Sequence, residues 1–154
     1  MKLVVQRVSR AAVRVEGRTV SSIARGLLVL LAVEKGDGLA LSESAAAKVA
    51  LLRCFPTPEN GKMNLSVTDI SGEVLVVSQF TLAGSLRRGR RPSFDGAAAP
   101  GEASELCDAF SAALKSRGLK VSSGIFGAMM EVELVNDGPV TFWLQSTQEG
   151  DFGP

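Results

Sequence analysis

The sequence has no histidine and no tyrosine, and only two cysteines and one tryptophan. Without histidine, neither a Ser/His/Asp nor a Cys/His nucleophile system can be assembled within the chain. Cys54 and Cys107 stand far apart and match no CxxC or zinc-ligand spacing. With no histidine to complete a set, the sequence predicts neither a metal nor a cofactor, and the two thiols read as buried groups in a reducing compartment. No lysine has a serine three positions before it, which removes the SxxK nucleophile arrangement. A Walker loop fails because Pro56 stands where Gly61-Lys62 would need its leading glycine. Gly36-x-Gly38 runs on to Leu41 where a dinucleotide loop needs its third glycine.

Long apolar runs are missing too. The longest, Leu27 to Val33, is far shorter than the roughly 20 residues that cross a bilayer as a helix. Gln6, Arg7, Ser9 and Arg10 interrupt any apolar centre for a secretory signal, so a cytoplasmic location with no membrane partner is expected. With 154 residues, 45% of them hydrophobic and 21% charged, the composition predicts one globular domain with its own core.

Net charge is only +1, yet its distribution is lopsided. Lys2, Arg7, Arg10, Arg14, Arg18 and Arg25 face Glu16 alone within residues 1–26, whereas residues 121–154 hold five acidic side chains and no Lys or Arg. Two readings follow: basic and acidic strands neutralising one another in one sheet, or a basic binding face. A second basic feature, Arg87, Arg88, Arg90 and Arg91 around Gly89, suits phosphate oxygens because a planar guanidinium donates two hydrogen bonds at once. A merely solubilising loop is the other reading of those charges.

Periodicity predicts an α+β domain in which a mostly antiparallel, barrel-like sheet carries two main helices on one side. Leu3-Val4-Val5 leads in, Ala11 to Val15 alternates, Glu16-Gly17 turns the chain, Thr19 to Ile23 returns, and Leu27 to Val33 is a buried strand. A helix is expected from Ser42, as its cap, to about Arg53, ended by Pro56 and Pro58. Asn60-Gly61 is a turn and Val74 to Val77 a buried strand that stops at Ser78. The arginine loop and Asp95 to Gly101 read as irregular. A second helix opens after Pro100, presents Leu106, Phe110 and Leu114 on one face, and closes at Gly118. Three strands finish the chain: Lys120 to Ser122, Met129 to Val135 and Val140 to Leu144, the last two connected by Asn136-Asp137-Gly138-Pro139.

Two segments stand out chemically. Ser78-Gln79-Phe80-Thr81-Leu82 crowds hydroxyl and amide groups where backbone N–H groups leave a strand ladder, a place where an oxyanion can be held; a strand that simply ends in polar residues would look the same. Gly138-Pro139 is an X-Pro bond, the least costly place to build a cis peptide and a fixed backbone direction, although trans is the default.

Taken together, the sequence resembles the D-aminoacyl-tRNA deacylases, proofreading enzymes that remove mischarged D-amino acids from tRNA. The likeness rests on Gln6-Arg7-Val8, Gly26 to Leu31, Gly61-Lys62-Met63-Asn64, Ser78 to Leu82, Arg91-Pro92-Ser93-Phe94, Phe126-Gly127-Ala128 and Asn136 to Thr141, in this order and spacing. It implies a deacylase domain over residues 1–146, with 147–154 as a tail, and a homodimer with two active sites at its interface. It also implies that Gly138-Pro139 is cis and reaches into the partner subunit's site to bind the substrate. Ester hydrolysis would then run through backbone donors at Phe80 and Thr81, with Ser78 and Gln79 positioning groups and the RNA 2′-hydroxyl directing water; Thr81 as a covalent nucleophile is the rival. Arg7 either braces the Gly138-Pro139 loop or is a solvated strand residue. Phe126, Met129 and Met130 either line an adenine pocket or belong to the core. The resemblance turns Arg87, Arg88, Arg90 and Arg91 toward tRNA phosphates. The competing class is a non-catalytic RNA-binding module of the same fold.

Overall fold

The computed structural model describes residues 1–87, 89–146 and 152–153. Strand β3 (Gly26–Ala32) explains the architecture, because its apolar residues are covered on both faces. Leu27, Val29 and Leu31 point to one side and Leu28 and Leu30 to the other, following the two-residue period of a strand. Strand β6 (Glu73–Ser78) divides the same way, Val74 and Val76 against Leu75 and Val77. Each fully buried Leu or Val contributes about 1.5–3 kcal/mol.

Neighbouring strands extend this sheet. β1 (Lys2–Val15) runs antiparallel to β2 (Arg18–Ile23), β3 and β8 (Glu131–Ser146), while β6 pairs in parallel with β3 and with β7 (Lys120–Ser123). The order is β7-β6-β3-β1-β8-β9, where β9 is Phe152–Gly153 and β2 adds to β1. β2 curls back against β6 and β7, nearly closing the sheet into a barrel. Inside the curl lie Val8, Ala11, Val13, Ile23, Leu28, Leu75 and Val77. The close approach of β3 to β6 requires Gly26, since a Cβ there would sit 1.8 Å from the carbonyl oxygen of Glu73. A short ribbon, β4 (Phe55–Pro56) with β5 (Met63–Leu65), stands apart.

Two helices cover the larger face. Helix α1 spans Leu39–Leu51 and buries Ala45, Ala46, Val49 and Ala50; helix α2 spans Pro100–Lys115 and buries Leu106, Phe110 and Leu114. The chain leaves α2 through Gly118 at φ +81°, a left-handed position suited to glycine. Ser42 is not the cap of α1. The helix begins earlier, after Gly38, and the Ser42 hydroxyl is buried and donates to the Leu106 carbonyl of α2 at 2.8 Å. Burial demands a partner for that hydroxyl, and the facing helix supplies one. Pro56 does not merely stop the helix; it lies in β4.

The expected break at Asn136 to Pro139 is also overturned. Met129 to Leu144 does not form two strands: β8 is one strand that carries the Gly138-Pro139 peptide within it, and β1 is likewise continuous. Val8 pairs with Asn136 but Gln6 with Thr141, so the extra residues bulge out of the β1–β8 ladder. A proline cannot donate to a ladder, and a bulge absorbs it without ending the strand. Along the same ladder Arg14 pairs with Glu133 at 3.3 Å, so the basic start and the acidic end of the chain do lie side by side. The irregular stretch holds two isolated bridges, Ser85 with Ser93 and Glu34 with Ala97. Among the described residues, no helix is long and apolar enough to cross a membrane. Most of the expected 147–154 tail falls outside the described residues; Phe152–Gly153 pairs with Gln145–Ser146.

Candidate active site

β6 ends at Ser78, whose ladder partner is Leu31, and the Gln79 N–H makes one further bond to the Leu31 carbonyl at 2.8 Å. The chain then turns into a single 3-10 turn, Phe80–Ala83. The first internal bond of this turn runs from the Leu82 N–H to the Gln79 carbonyl at 3.2 Å. The N–H groups of Phe80 and Thr81, ahead of that bond, have no acceptor among the described residues. They are the open donors of the segment. The Gln79 side-chain amide donates to the Thr81 hydroxyl, and among the described residues no carboxylate or amine is bonded to that hydroxyl. Phe80 is 58% exposed, with its ring edge-on to Phe94.

The Gly138-Pro139 peptide is cis. Two side chains hold the bulge that carries it. Arg7, only 8% exposed, donates through Nε to the Asp137 carbonyl at 2.9 Å and through a terminal nitrogen to the Cys54 carbonyl, and it pairs with the Asp137 carboxylate at 3.1 Å. Asn136 donates through Nδ2 to the carbonyls of Arg7 at 3.0 Å and Val140 at 3.1 Å, spanning the bulge. Arg7 is therefore a buried brace and not a solvated strand residue. Its bond within the bulge goes to the Asp137 carbonyl and not to those of Gly138 and Pro139. The bracing amide of Asn136 was missed in the sequence, although a short amide beside Gly-Pro is a signal for such local bonding. Gly138 and Pro139 are both exposed.

Within one chain the two segments are not brought together. The turn lies at the Leu31 end of β3, level with Leu3 of β1, whereas the bulge lies beside Arg7, which is level with Leu27. Those levels differ by about 13 Å along the strand, and β3 and β1 intervene across the sheet.

Of the other expected site residues, Met130 is half-buried and packs against the core inside the curl. Phe126 and Met129 are exposed, the latter by 92%. Their loop starts at Gly124, whose N–H bonds the Val76 carbonyl at 2.9 Å, close to the end of β6. Arg87, Arg90 and Arg91 are exposed, on a loop pinched shut by the paired Ser85 and Ser93 backbones at 2.8 and 2.9 Å; Arg88 lies outside the described residues. Both thiols are buried, and burial pushes Cys54 and Cys107 up to about 11, with the Asp108 charge adding to the rise at Cys107 and Arg7 opposing it at Cys54. Among the described residues no group of three Cys, Asp or Glu side chains converges to hold a metal.

Comparison with known proteins places the chain in a family. The chain belongs to the D-Tyr-tRNA(Tyr) deacylase family, whose model matches residues 4–145. It is 57% identical over 149 residues to the D-aminoacyl-tRNA deacylase of Koribacter versatilis, covering 97% of this chain and 99% of that protein. A second relative of the same name, from Geotalea uraniireducens, is 54% identical over 153 residues, covering 99% of this chain and 98% of that protein. Among solved structures, the c-Myc DNA unwinding element binding protein superposes with a TM-score of 0.89 at 39% identity, over 96% of this chain and 99% of that one. A probable eukaryotic D-amino acid tRNA deacylase shares the fold with a TM-score of 0.78 at 18% identity, over 92% of this chain and 97% of that one.

Proposed function

We propose that this chain hydrolyses the ester between a D-aminoacyl group and the terminal ribose of tRNA. The enzyme is a hydrolase of the D-aminoacyl-tRNA deacylase class, as its curated relatives are named. A water oxygen gives up a proton and bonds to the ester carbonyl carbon, and the carbonyl oxygen takes up the negative charge. As that charge returns to re-form the C=O bond, the C–O bond to the ribose breaks and the released ribose oxygen takes the proton. The products are a free D-amino acid and tRNA. The open N–H groups of Phe80 and Thr81 are suited to the developing oxyanion. An ester beside a vicinal ribose hydroxyl is already activated, so the RNA 2′-hydroxyl directs the water and no ionisable side chain is required. Covalent attack by Thr81 is the weaker route, because its hydroxyl is bonded to the Gln79 amide and no base adjoins it among the described residues.

The observation that carries the reading is the exposed Gly138-Pro139 segment of the β8 bulge, braced from behind by Arg7 and Asn136. Two enantiomers carry the same groups, and a pocket that senses one methylene discriminates by only about 1–3 kcal/mol. A main-chain wall rejects an L side chain by collision instead. Since one chain keeps the wall apart from the 3-10 turn, the working site is built by a homodimer in which each Gly138-Pro139 enters the partner's site. Phe126 and Met129 then flank the terminal adenine, and Arg87, Arg88, Arg90 and Arg91 contact tRNA phosphates. Buried free thiols fit action in the reducing cytoplasm.

The test is deacylation of D- and L-aminoacyl-tRNA by the purified protein with a chelator present. Rapid release of the D- but not the L-amino acid, undiminished by chelation, is expected. Glycine has no side chain to collide, so glycyl-tRNA should also be cleaved, and complete inertness toward it removes the wall. Binding of tRNA without hydrolysis of either enantiomer establishes the non-catalytic RNA-binding module instead.

A further inference from the structure

The Arg91-Pro92-Ser93-Phe94 motif takes no part in the chemistry above except through its arginine. We propose that Phe94 is a positioning residue: its ring clamps the 3-10 turn at both ends and so fixes the direction of the donors at Phe80 and Thr81. This rests on the reading of that turn as the catalytic segment.

Phe80 opens the turn and is mostly exposed, so its own segment offers little to hold the ring. What it meets is Phe94, edge to face, with centroids 5.0 Å apart and planes at 63°, the arrangement favoured by the ring quadrupoles. Gly84 closes the same turn, its N–H donating to the Thr81 carbonyl at 3.0 Å. A Cβ at Gly84 would lie 3.0 Å from Cε1 of Phe94 and 2.9 Å from the Thr81 oxygen, so the Phe94 ring fills the space that a side chain would need. One ring therefore touches the first residue of the turn and the residue that caps it.

Phe94 is itself tied on both sides. Just before it, Ser93 and Ser85 exchange two backbone bonds at 2.9 and 2.8 Å. Just after it, the Phe94 carbonyl accepts from Ala97 at 2.9 Å, and the Lys35 N–H bonds the Gly96 carbonyl at 2.9 Å, anchoring the segment to the chain beyond β3. A ring held by backbone ladders presses on a turn that has few bonds of its own. That is how a four-residue turn keeps one direction in water.

The test measures kcat and KM for D-aminoacyl-tRNA in Phe94→Leu, Phe94→Met and Phe94→Tyr, alone and with Phe80→Ala. Phe94→Leu and Phe94→Met keep an apolar group but lose the ring; each should lower kcat about tenfold, equivalent to ~1.4 kcal/mol, with KM within about twofold. Phe94→Tyr should restore most of the rate. In a Phe80→Ala background, Phe94→Leu should cost little more, because the ring has then already lost its hold on the first residue of the turn. A lowered melting temperature with normal kcat, full additivity with Phe80→Ala, or a Tyr variant no better than Leu overturns the inference. A wild-type protein that fails to release the D-amino acid overturns the underlying reading instead, so the two failures are distinct.

Discussion

Arg7 reaches Asp137 twice, donating through Nε to its main-chain carbonyl at 2.9 Å and facing its carboxylate at 3.1 Å. The pair joins the middle of β1 to the bulge in β8, and the same guanidinium closes on the Cys54 carbonyl. The main-chain bonds matter more than the ion pair, because the Asp137 side chain is 41% exposed and such pairs are weak in water.

Replacing Arg7 by Ala leaves the Cys54 carbonyl buried without this donor. A loss of about 2 kcal/mol is expected in urea unfolding. With the bulge unbraced, the ratio of D- to L-aminoacyl-tRNA cleavage should also fall by about tenfold or more, an effect of ~1.4 kcal/mol or greater. Arg7→Lys should recover only part of either, since an ammonium is a point charge and not a fork. An Arg7→Ala enzyme with unchanged stereoselectivity removes Arg7 from the specificity device.

The thiols set an alkaline limit on stability. Cys54 and Cys107 titrate near 11 when folded, against an ordinary value of 9.0. A folded-state value raised in this way means that the contribution is complete below pH 9 and is lost as pH climbs from 9 toward 11. Urea midpoints measured across that range should fall, and should fall less in a Cys54→Ala/Cys107→Ala protein. In native protein at pH 7.5 neither thiol should react with a maleimide, whereas both should in urea.

The arginine loop should govern salt dependence. Changing Arg87, Arg90 and Arg91 together to Glu is expected to weaken tRNA binding and to flatten the slope of log K against log salt by about 2, given ~0.7–0.9 per phosphate contact. Thermal stability should hardly change, because all three side chains are exposed. An unaltered slope assigns the loop to solubility alone.

Gly26→Ala should be disruptive, because the added carbon would sit 1.8 Å from the Glu73 backbone, which belongs to a strand and cannot swing aside. A loss of about 3 kcal/mol is expected, visible in urea unfolding. At Gly118, where nothing lies within 4 Å, the same substitution meets only the strain of φ +81° and should cost about 1 kcal/mol.

These expectations show how far the sequence carried the structure. β3 was readable because both faces are buried, which leaves an unbroken apolar run, and α2 because Leu106, Phe110 and Leu114 recur at helical spacing before Gly118. The joined course of β8 was not, since Gly-Pro looks like punctuation, and only the long pairing of β1 with both sides of it makes one strand. Ser42 misled for a similar reason. Its capping chemistry is local, but the acceptor it uses is Leu106, far along the chain. Of the candidate site, Ser78 to Thr81 and Gly138-Pro139 stand out by residue type alone. Asn136 and Phe94 work through bonds and ring contacts between segments, which no local pattern contains.

The pairing of β1 with β8 also bears on how the protein is made. Lys2 to Val15 is synthesised well before the neighbour that flanks it from Lys2 to Arg14, which runs to Ser146. Until β8 emerges one border of β1 stands bare, and the sheet cannot be completed while β8 is still being elongated. Closure of the sheet is thereby deferred until β8 has been made, and shielding of that border by a chaperone would be of most use in this interval.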